Sequence, residues 1–280
     1  MKTIANALKL TLLIIVFQHS QIQAQPASFG IANTFRPVDS SRKAVVAKLK
    51  AVKPKQADSL YYAFKDEANT NLYNLDMTLY FGERYCRIKS DTTKWNAEDK
   101  MILQYMDKND LDMRDDGEGS CYMSYKPYYF NDLFKSKVTP ALRDYLKQRA
   151  DEDTVLYSGD AAIAISFTEL GERIIRWENF MKKYPGSKLK EDARETYVNY
   201  LKDFCFGQDN TPTFENDPAT DLLVLNPENK QAFTKMINSH PGTKTAALVQ
   251  RFVQRLKLNK FTLTPTMREA VFREIDRITF

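Results

Sequence analysis

The sequence predicts a mainly α fold, an irregular multi-helix array with two related helical hairpins in its C-terminal half. Apolar residues recur at intervals of three and four over several stretches, which is the spacing of one helix face. Residues that favour helix starts precede these stretches, as at Asn96, Ser166 and Thr264. Two short turns, at Pro185 and Pro241, repeat the same local pattern, which indicates a pair of similar hairpins.

Residues 1–24 have the composition of a secretory signal peptide. Lys2 and Lys9 form a basic start, an apolar run covers 8–17, and small residues end at Ala24. The apolar run is too short for a permanent membrane span, and no later stretch is apolar enough for one. We therefore expect an exported protein, periplasmic or extracellular, of a Gram-negative bacterium.

The charge of the chain is nearly balanced. The 280 residues carry 41 Lys and Arg against 36 Asp and Glu, a net charge of +5. Removal of Lys2 and Lys9 with the signal peptide lowers this value to +3, because residues 1–24 contain no acid. So small an excess gives no reason to expect nucleic acid as a partner.

The remaining chain divides into a flexible lead-in, 25–41, and a single α-helical domain, 42–280. The ambiguous segment 153–166 is a point at which this domain could divide. The basic stretch 42–55 predicts a short solvated helix, with contact to anionic lipid headgroups as the alternative interpretation. A long helix is expected over 58–88, and a second one after Asn96, where Asp99 completes a capping box.

An Asp-rich segment, 107–119, breaks the helical pattern. An EF-hand loop beginning at Asp107 would need Gly at its sixth position, which is Asp112. A looser calcium site stays an alternative, and no other cofactor is expected. Since His240 is the only histidine after the signal peptide and no CxxC pair occurs, the sequence predicts no zinc site.

Six rings crowd the segment 120–134, which we expect to be a loop. Tyr122, Tyr125 and Tyr128 could line a binding pocket, since tyrosine offers an apolar face and a polar tip. The alternative is that these rings fill gaps between helices. A long loop, 206–221, is the second candidate binding segment, with Asp209 and Asn210 as its polar groups.

A glycosidase-like site is the enzyme alternative. Glycoside cleavage needs one protonated and one ionised carboxyl group. Glu118, between two glycines, is the candidate acid, with Asp115 or Asp116 as its partner. The three cysteines leave pairing open: Cys86 with Cys121 is chemically possible after export, and three buried thiols, including Cys205, are the alternative.

The two hairpins occupy 166–201 and 231–256. Each turn begins with an aromatic or imidazole ring, which is followed in order by Pro, by Gly, by either Ser or Thr, and by Lys. The residues that carry the similarity are Phe180, Tyr184, Pro185, Ser187 and Ala193 in the first copy, and Met236, His240, Pro241 and Thr243 in the second. These hairpins resemble the tetratricopeptide-type repeats of bacterial envelope proteins, such as the coordinator protein of the Tol-Pal system. The resemblance implies peptide or protein binding and brings no catalytic residue.

These observations predict a non-catalytic envelope binding or scaffold protein that presents a helical groove to a peptide or protein partner. Stacked hairpins bury one face and leave a groove along the other. The alternative is a carboxylate-dependent hydrolase that acts on a cell-envelope glycan. His240 occupies the position in the second hairpin that Tyr184 occupies in the first. Packing beside a turn therefore explains the presence of this histidine better than a catalytic role does.

Overall fold

The computed structural model describes residues 27–79, 84, 88, 91–115, 119 and 121–280, with side chains from Gly30 onward. Over these residues the protein is mainly α-helical, which confirms the predicted fold class. The proposed signal peptide, Cys86, Asp116 and Glu118 lie outside the described residues.

The first helix, α1 (Ala27–Leu49), begins well before the expected position. The prediction of a flexible lead-in over 25–41 is wrong from Ala27 onward, because Phe35 and Val38 are buried where α1 packs on the next two helices. Polar residues and Pro37 between these apolar positions hide the helical spacing in the sequence. The predicted short basic helix is the C-terminal part of α1.

Two further helices complete this packing. Helix α2 (Pro54–Leu79) begins before the predicted start at residue 58 and buries Tyr61, Phe64, Ala68 and Leu75. A 3₁₀ turn (Thr92–Lys94) precedes α3 (Ala97–Lys108). The capping box at the start of α3 is confirmed in both directions: Asp99 N donates to Asn96 Oδ1 at 2.8 Å, and Asn96 N donates to Asp99 Oδ2 at 3.1 Å.

A β-hairpin and a short helix replace the loop that we expected over 120–134. Strand β1 (Leu111–Asp115) pairs antiparallel with β2 (Cys121–Tyr125), and α4 (Tyr129–Phe134) follows. Alternate residues of β2 are buried, which is the period of a half-buried strand. The rings of Tyr125 and Tyr129 stack with centroids 4.2 Å apart, so this part of the aromatic segment fills the core.

The C-terminal half alternates helices with short hairpins. Helix α5 (Pro140–Asp153) leads to the hairpin β3 (Ser158–Gly159) and β4 (Ala162–Ile163). Helices α6 (Phe167–Lys183) and α7 (Lys190–Phe206) form the first predicted helical hairpin. The last three helices are α8 (Pro227–Ser239), α9 (Lys244–Leu258) and α10 (Pro265–Asp276).

Two β-hairpins occupy the segment that we expected to be a long loop, 206–221. Strand β5 (Gly207–Gln208) pairs with β6 (Thr211–Pro212), and β7 (Phe214–Asp217) pairs with β8 (Leu222–Leu225). Gly207 makes the first turn possible: its φ is 75°, and a Cβ atom there would lie 2.3 Å from the Thr211 carbonyl oxygen. The loop prediction is therefore wrong for most of this segment.

The residues before the two turn prolines have the same backbone geometry, whereas the glycines after them differ: Gly242 has a φ of 82° and Gly186 has no positive φ. Helix α6 ends at Tyr184 with φ −127° and ψ 59°, and α8 ends at His240 with φ −126° and ψ 46°. The imidazole Nε2 of His240 lies 3.0 Å from Glu172 Oε1 on α6, so it joins two helices. Thr243 caps α9, since its hydroxyl oxygen accepts from Ala246 N at 3.0 Å. The sequence also predicts that Ser187 caps α7, which is wrong: α7 begins at Lys190 after Leu189, without a side-chain cap.

Glu178 on α6 connects the two helical hairpins. Its buried carboxylate accepts hydrogen bonds from Lys244 N at 2.8 Å and from Thr245 N at 3.0 Å, the first backbone donors of α9. Thr245 Oγ1 donates at 2.6 Å, and Lys182 Nζ lies 2.6 Å away. Burial opposes the charge, but these donors outweigh it and hold the pKa of Glu178 below its usual value.

We predict that Glu178→Gln destabilises the protein at neutral pH. The substitution replaces a carboxylate that accepts from four donors with a neutral amide whose NH₂ group has no acceptor there, so the free energy of unfolding should fall by about 2–4 kcal/mol. Urea unfolding at pH 7 measures this change. Glu228→Gln, at an exposed position in α8, is the matched control and should change stability by less than about 0.5 kcal/mol. An equal effect of both substitutions would contradict the prediction.

Candidate functional site

The tyrosines selected from the sequence differ in their surroundings. Tyr125 is buried and donates a hydrogen bond to the Ala68 carbonyl oxygen at 3.2 Å, so it supports the core. Tyr122 is 40% exposed on β2. Tyr128 lies at the surface, where its hydroxyl donates to Asp151. Their role in ligand binding stays a prediction.

The other predicted residues lie elsewhere. Asn210, at the tip of the β5–β6 hairpin, donates from Nδ2 to the Asp160 carbonyl oxygen at 2.6 Å, and Asp209 beside it is exposed. Asp115 is exposed at the end of β1. Among the described residues, no contact joins the tyrosines to Asp209 or Asn210. The two candidate binding segments therefore do not line one shared pocket.

A cleft that sequence reasoning missed lies where α5 ends beside β3, α6 and α7. Its volume is about 320 Å³. Its lining combines buried and charged groups, of which the most relevant are Arg114, Arg149, Glu152, Asp153, Arg173 and Tyr200. A concave site with several convergent polar groups is the usual form of a ligand pocket.

Glu152 is the central group of this cleft, and only 3% of it is exposed. Its Oε2 accepts hydrogen bonds from Trp177 Nε1 and from the Tyr200 hydroxyl, each at 3.1 Å. Its Oε1 is buried and has no hydrogen-bond partner among the described residues; Arg176 Nε is 4.0 Å away. Burial raises the pKa of Glu152 above its ordinary value of 4.5, although the two hydrogen bonds and the nearby arginines oppose the rise.

Three arginines give the cleft a positive balance. Arg149 is half-buried and forms no hydrogen bond or ion pair within the described part of the chain. Arg173 is buried, and its Nε lies 3.3 Å from Glu169 Oε1. Arg114 donates to the Asp153 carbonyl oxygen at 3.2 Å. Three guanidinium groups therefore face two acids, Glu152 and Asp153, in the lining of the cleft.

An apolar rim borders this charged floor. Val155 and Leu156, between α5 and β3, are 52% and 45% exposed and line the same cleft. The backbone around them is fixed by its neighbours: the Tyr157 hydroxyl donates to Asp203, and Ser158 Oγ donates to Gln208 Oε1 at 2.7 Å. The rim thus offers apolar contact area on a segment whose position is fixed by hydrogen bonds to its neighbours.

The two buried glutamates differ in how their carboxylate oxygens are hydrogen-bonded. Each oxygen of Glu178 accepts from protein donors, and hydrogen bonding lowers its pKa. One oxygen of Glu152 accepts from no donor, and burial raises its pKa. A buried polar atom without a partner, beside a cavity, is a mark of a functional site.

The remaining chemistry gives no stronger candidate. Cys121 and Cys205 are buried, and burial raises the pKa of the Cys205 thiol, which opposes formation of a reactive thiolate. Over the described ranges, no group of three or more His, Cys, Asp or Glu residues could hold a metal ion. The calcium alternative for 107–119 stays untested, because that segment includes residues outside these ranges. None of the described helices has the length and apolar character to cross a bilayer.

Comparison with known proteins gives no relative. No protein-family model matches the chain, and neither the curated proteins nor the solved structures include a significant match.

We predict that Glu152→Gln removes a pH-dependent term in stability. Because the fold raises the pKa of Glu152, its neutral form favours folding below pH 4.5, and this contribution is lost as the pH rises through the folded-state pKa. The melting temperature of the wild type relative to Glu152→Gln should therefore fall from about pH 4 to about pH 8. A difference between wild type and Glu152→Gln that stays constant over this pH range would contradict the prediction.

Proposed function

We propose that this protein is a non-catalytic binding or scaffold protein of the bacterial envelope, and that it presents a helical groove to a peptide or protein partner. The observation that carries the proposal is the cleft with a partly unsatisfied Glu152, an unpaired Arg149 and an exposed apolar rim. Polar groups left without partners in a concave, partly apolar surface are the groups that a ligand can satisfy.

The helical hairpins support this proposal. Helix α6 packs on both α7 and α8, and α8 packs on α9, so the two hairpins form one packed array. In both turns the residue before the proline has the same backbone conformation, although the prolines are 56 residues apart (241 minus 185). Packed helical hairpins of this kind offer concave faces to extended or helical partners, and the tetratricopeptide-like character of the array is part of the proposal.

Photocrosslinking tests this function. With p-benzoylphenylalanine in place of Asn199, which lines the cleft, we expect a discrete covalent adduct with an envelope protein of the source bacterium. The same replacement at Lys235, an exposed residue of α8 that does not line the cleft, is the control and should give no such adduct. Mass spectrometry identifies the adduct. The adduct should also disappear when Arg149→Gln is added, and equal labelling at both positions would refute a role for the cleft.

One observation favours hydrolysis of an envelope glycan as the second candidate. Burial raises the pKa of Glu152, which is the direction of shift that a general acid requires, and Asp153 lines the same cleft. In this alternative we propose Glu152 as the acid; Glu118, the candidate from the sequence, lies outside the described residues.

The hydrolase alternative has a direct test. If it holds, incubation of peptidoglycan or envelope polysaccharide with the protein should release soluble reducing ends, and Glu152→Gln should lower the rate at least about 100-fold, because a general acid contributes that much. Binding without catalysis predicts no release by either protein. Release that is unchanged in Glu152→Gln would exclude Glu152 as the acid.

A further inference from the structure

We propose that the cleft receives an acidic side chain of the partner, an Asp or Glu of a peptide segment, with Arg149 as its ionic partner and Glu152 as a neutral hydrogen-bond donor. This inference rests on the proposed binding function and adds to it the chemical class of the recognised group. Three features of the cleft carry it: the sign of the charge, the free oxygen of Glu152 and the apolar rim.

The sign of the charge favours an anion. Arg149 is half-buried, so part of its hydration is already lost, and it gains no ion pair from the described residues in return. Arg173 is buried on α6, where its Nε lies 3.3 Å from Glu169 Oε1 and its side chain forms a hydrogen bond with Tyr200; it adds positive charge to the cleft. A guanidinium group binds a carboxylate through parallel hydrogen bonds, which an incoming acid would supply to Arg149.

The free oxygen of Glu152 fits the same ligand. Oε2 accepts from both Trp177 and Tyr200, so in a neutral carboxyl group the proton belongs on Oε1. Glu152 lines the cleft, and its buried Oε1 has no hydrogen-bond partner in the described structure. A neutral carboxyl group in a buried site donates a strong hydrogen bond to an anionic oxygen. Glu152 then attracts an acid that it would repel if it were ionised.

The rim accounts for the part of the ligand next to the acid. Val155 and Leu156 are exposed beside the arginines, so an apolar side chain next to the acidic residue would bury area against them. Asn199 is exposed at the edge of the cleft and is available to a peptide backbone. A short acidic segment with an interleaved apolar residue satisfies all of these groups together.

The test uses fluorescence anisotropy with three labelled, C-terminally amidated peptides of the form Gly-Ser-X-Val-X-Ser-Gly. X is Asp in the acidic probe, Asn in the neutral probe and Lys in the basic probe. At low ionic strength the acidic probe should bind the full-length protein at least about tenfold more tightly than the neutral probe, since a charge-assisted hydrogen bond supplies that difference. The basic probe should bind most weakly.

Substitutions assign the effect to the cleft. Arg149→Gln should reduce the acidic preference to about twofold or less, whereas Arg143→Gln, on the same helix but outside the cleft, should leave it unchanged. Glu152→Gln should retain binding of the acidic probe, because its amide can accept from Trp177 and Tyr200 and donate from its nitrogen. Glu152→Ala removes that donor and should therefore lower the affinity for the acidic probe at least about threefold.

Three results would overturn the inference. Equal binding of the acidic and neutral probes would remove charge recognition. Preference for the basic probe, abolished by Glu152→Gln, would show that Glu152 is an ionised partner of a cation. Equal losses in Arg143→Gln and Arg149→Gln would assign binding to general surface charge. If the acidic probe fails while the Asn199 crosslink persists, this inference falls and the proposed function stands; if both fail, both fall.

Discussion

The architecture of the C-terminal half depends on the buried carboxylate of Glu178. It belongs to α6, yet it supplies hydrogen-bond acceptors to the backbone at the start of α9, three helices further along the chain. The Thr245 hydroxyl also donates to Glu178, and the Tyr197 hydroxyl on α7 lies 2.9 Å from Thr245 Oγ1. Helices α6, α7 and α9 therefore meet at this point. A buried charge is stable only when donors surround it, and this requirement fixes how the two hairpins pack.

The same helix connects this junction to the cleft. Trp177 precedes Glu178 in α6 and is fully buried; its indole nitrogen donates to Glu152 at the end of α5. One turn earlier, Arg173 lines the cleft. Because successive helical residues are 100° apart, α6 can hold the second hairpin with one face and support the cleft with another. A helix with buried residues around most of its circumference is central to the packing, and α6 has this property.

Some elements were predictable because their cause is local. The box between Asn96 and Asp99 and the cap at Thr264 involve groups within three residues of each other, and the structure confirms both. The equivalence of Tyr184 and His240 also followed from short patterns around proline and glycine. By contrast, the sequence did not predict the start of α1, because Phe35 is buried only through packing of α1 on other helices.

The candidate cleft could not be predicted from the sequence. Asp151-Glu152-Asp153 has the appearance of a solvated acidic helix end, and nothing local separates the middle residue from its neighbours. Arg149, Arg173 and Tyr200 come from three separate helices, so their juxtaposition exists only after those helices pack. The aromatic segment showed the reverse case: Tyr125 was selected as a binding residue, but the alternation of β2 directs it inward.

The sequence by itself determined the helical class, most helix starts after residue 90 and the positions of the two proline turns, since capping, proline geometry and helical periodicity act over a few residues. Tertiary structure decided which carboxylates are buried, which of them obtain donors, and where an unpaired arginine meets an apolar rim. Burial and charge pairing are properties of contacts between distant segments, and no short-range pattern encodes them.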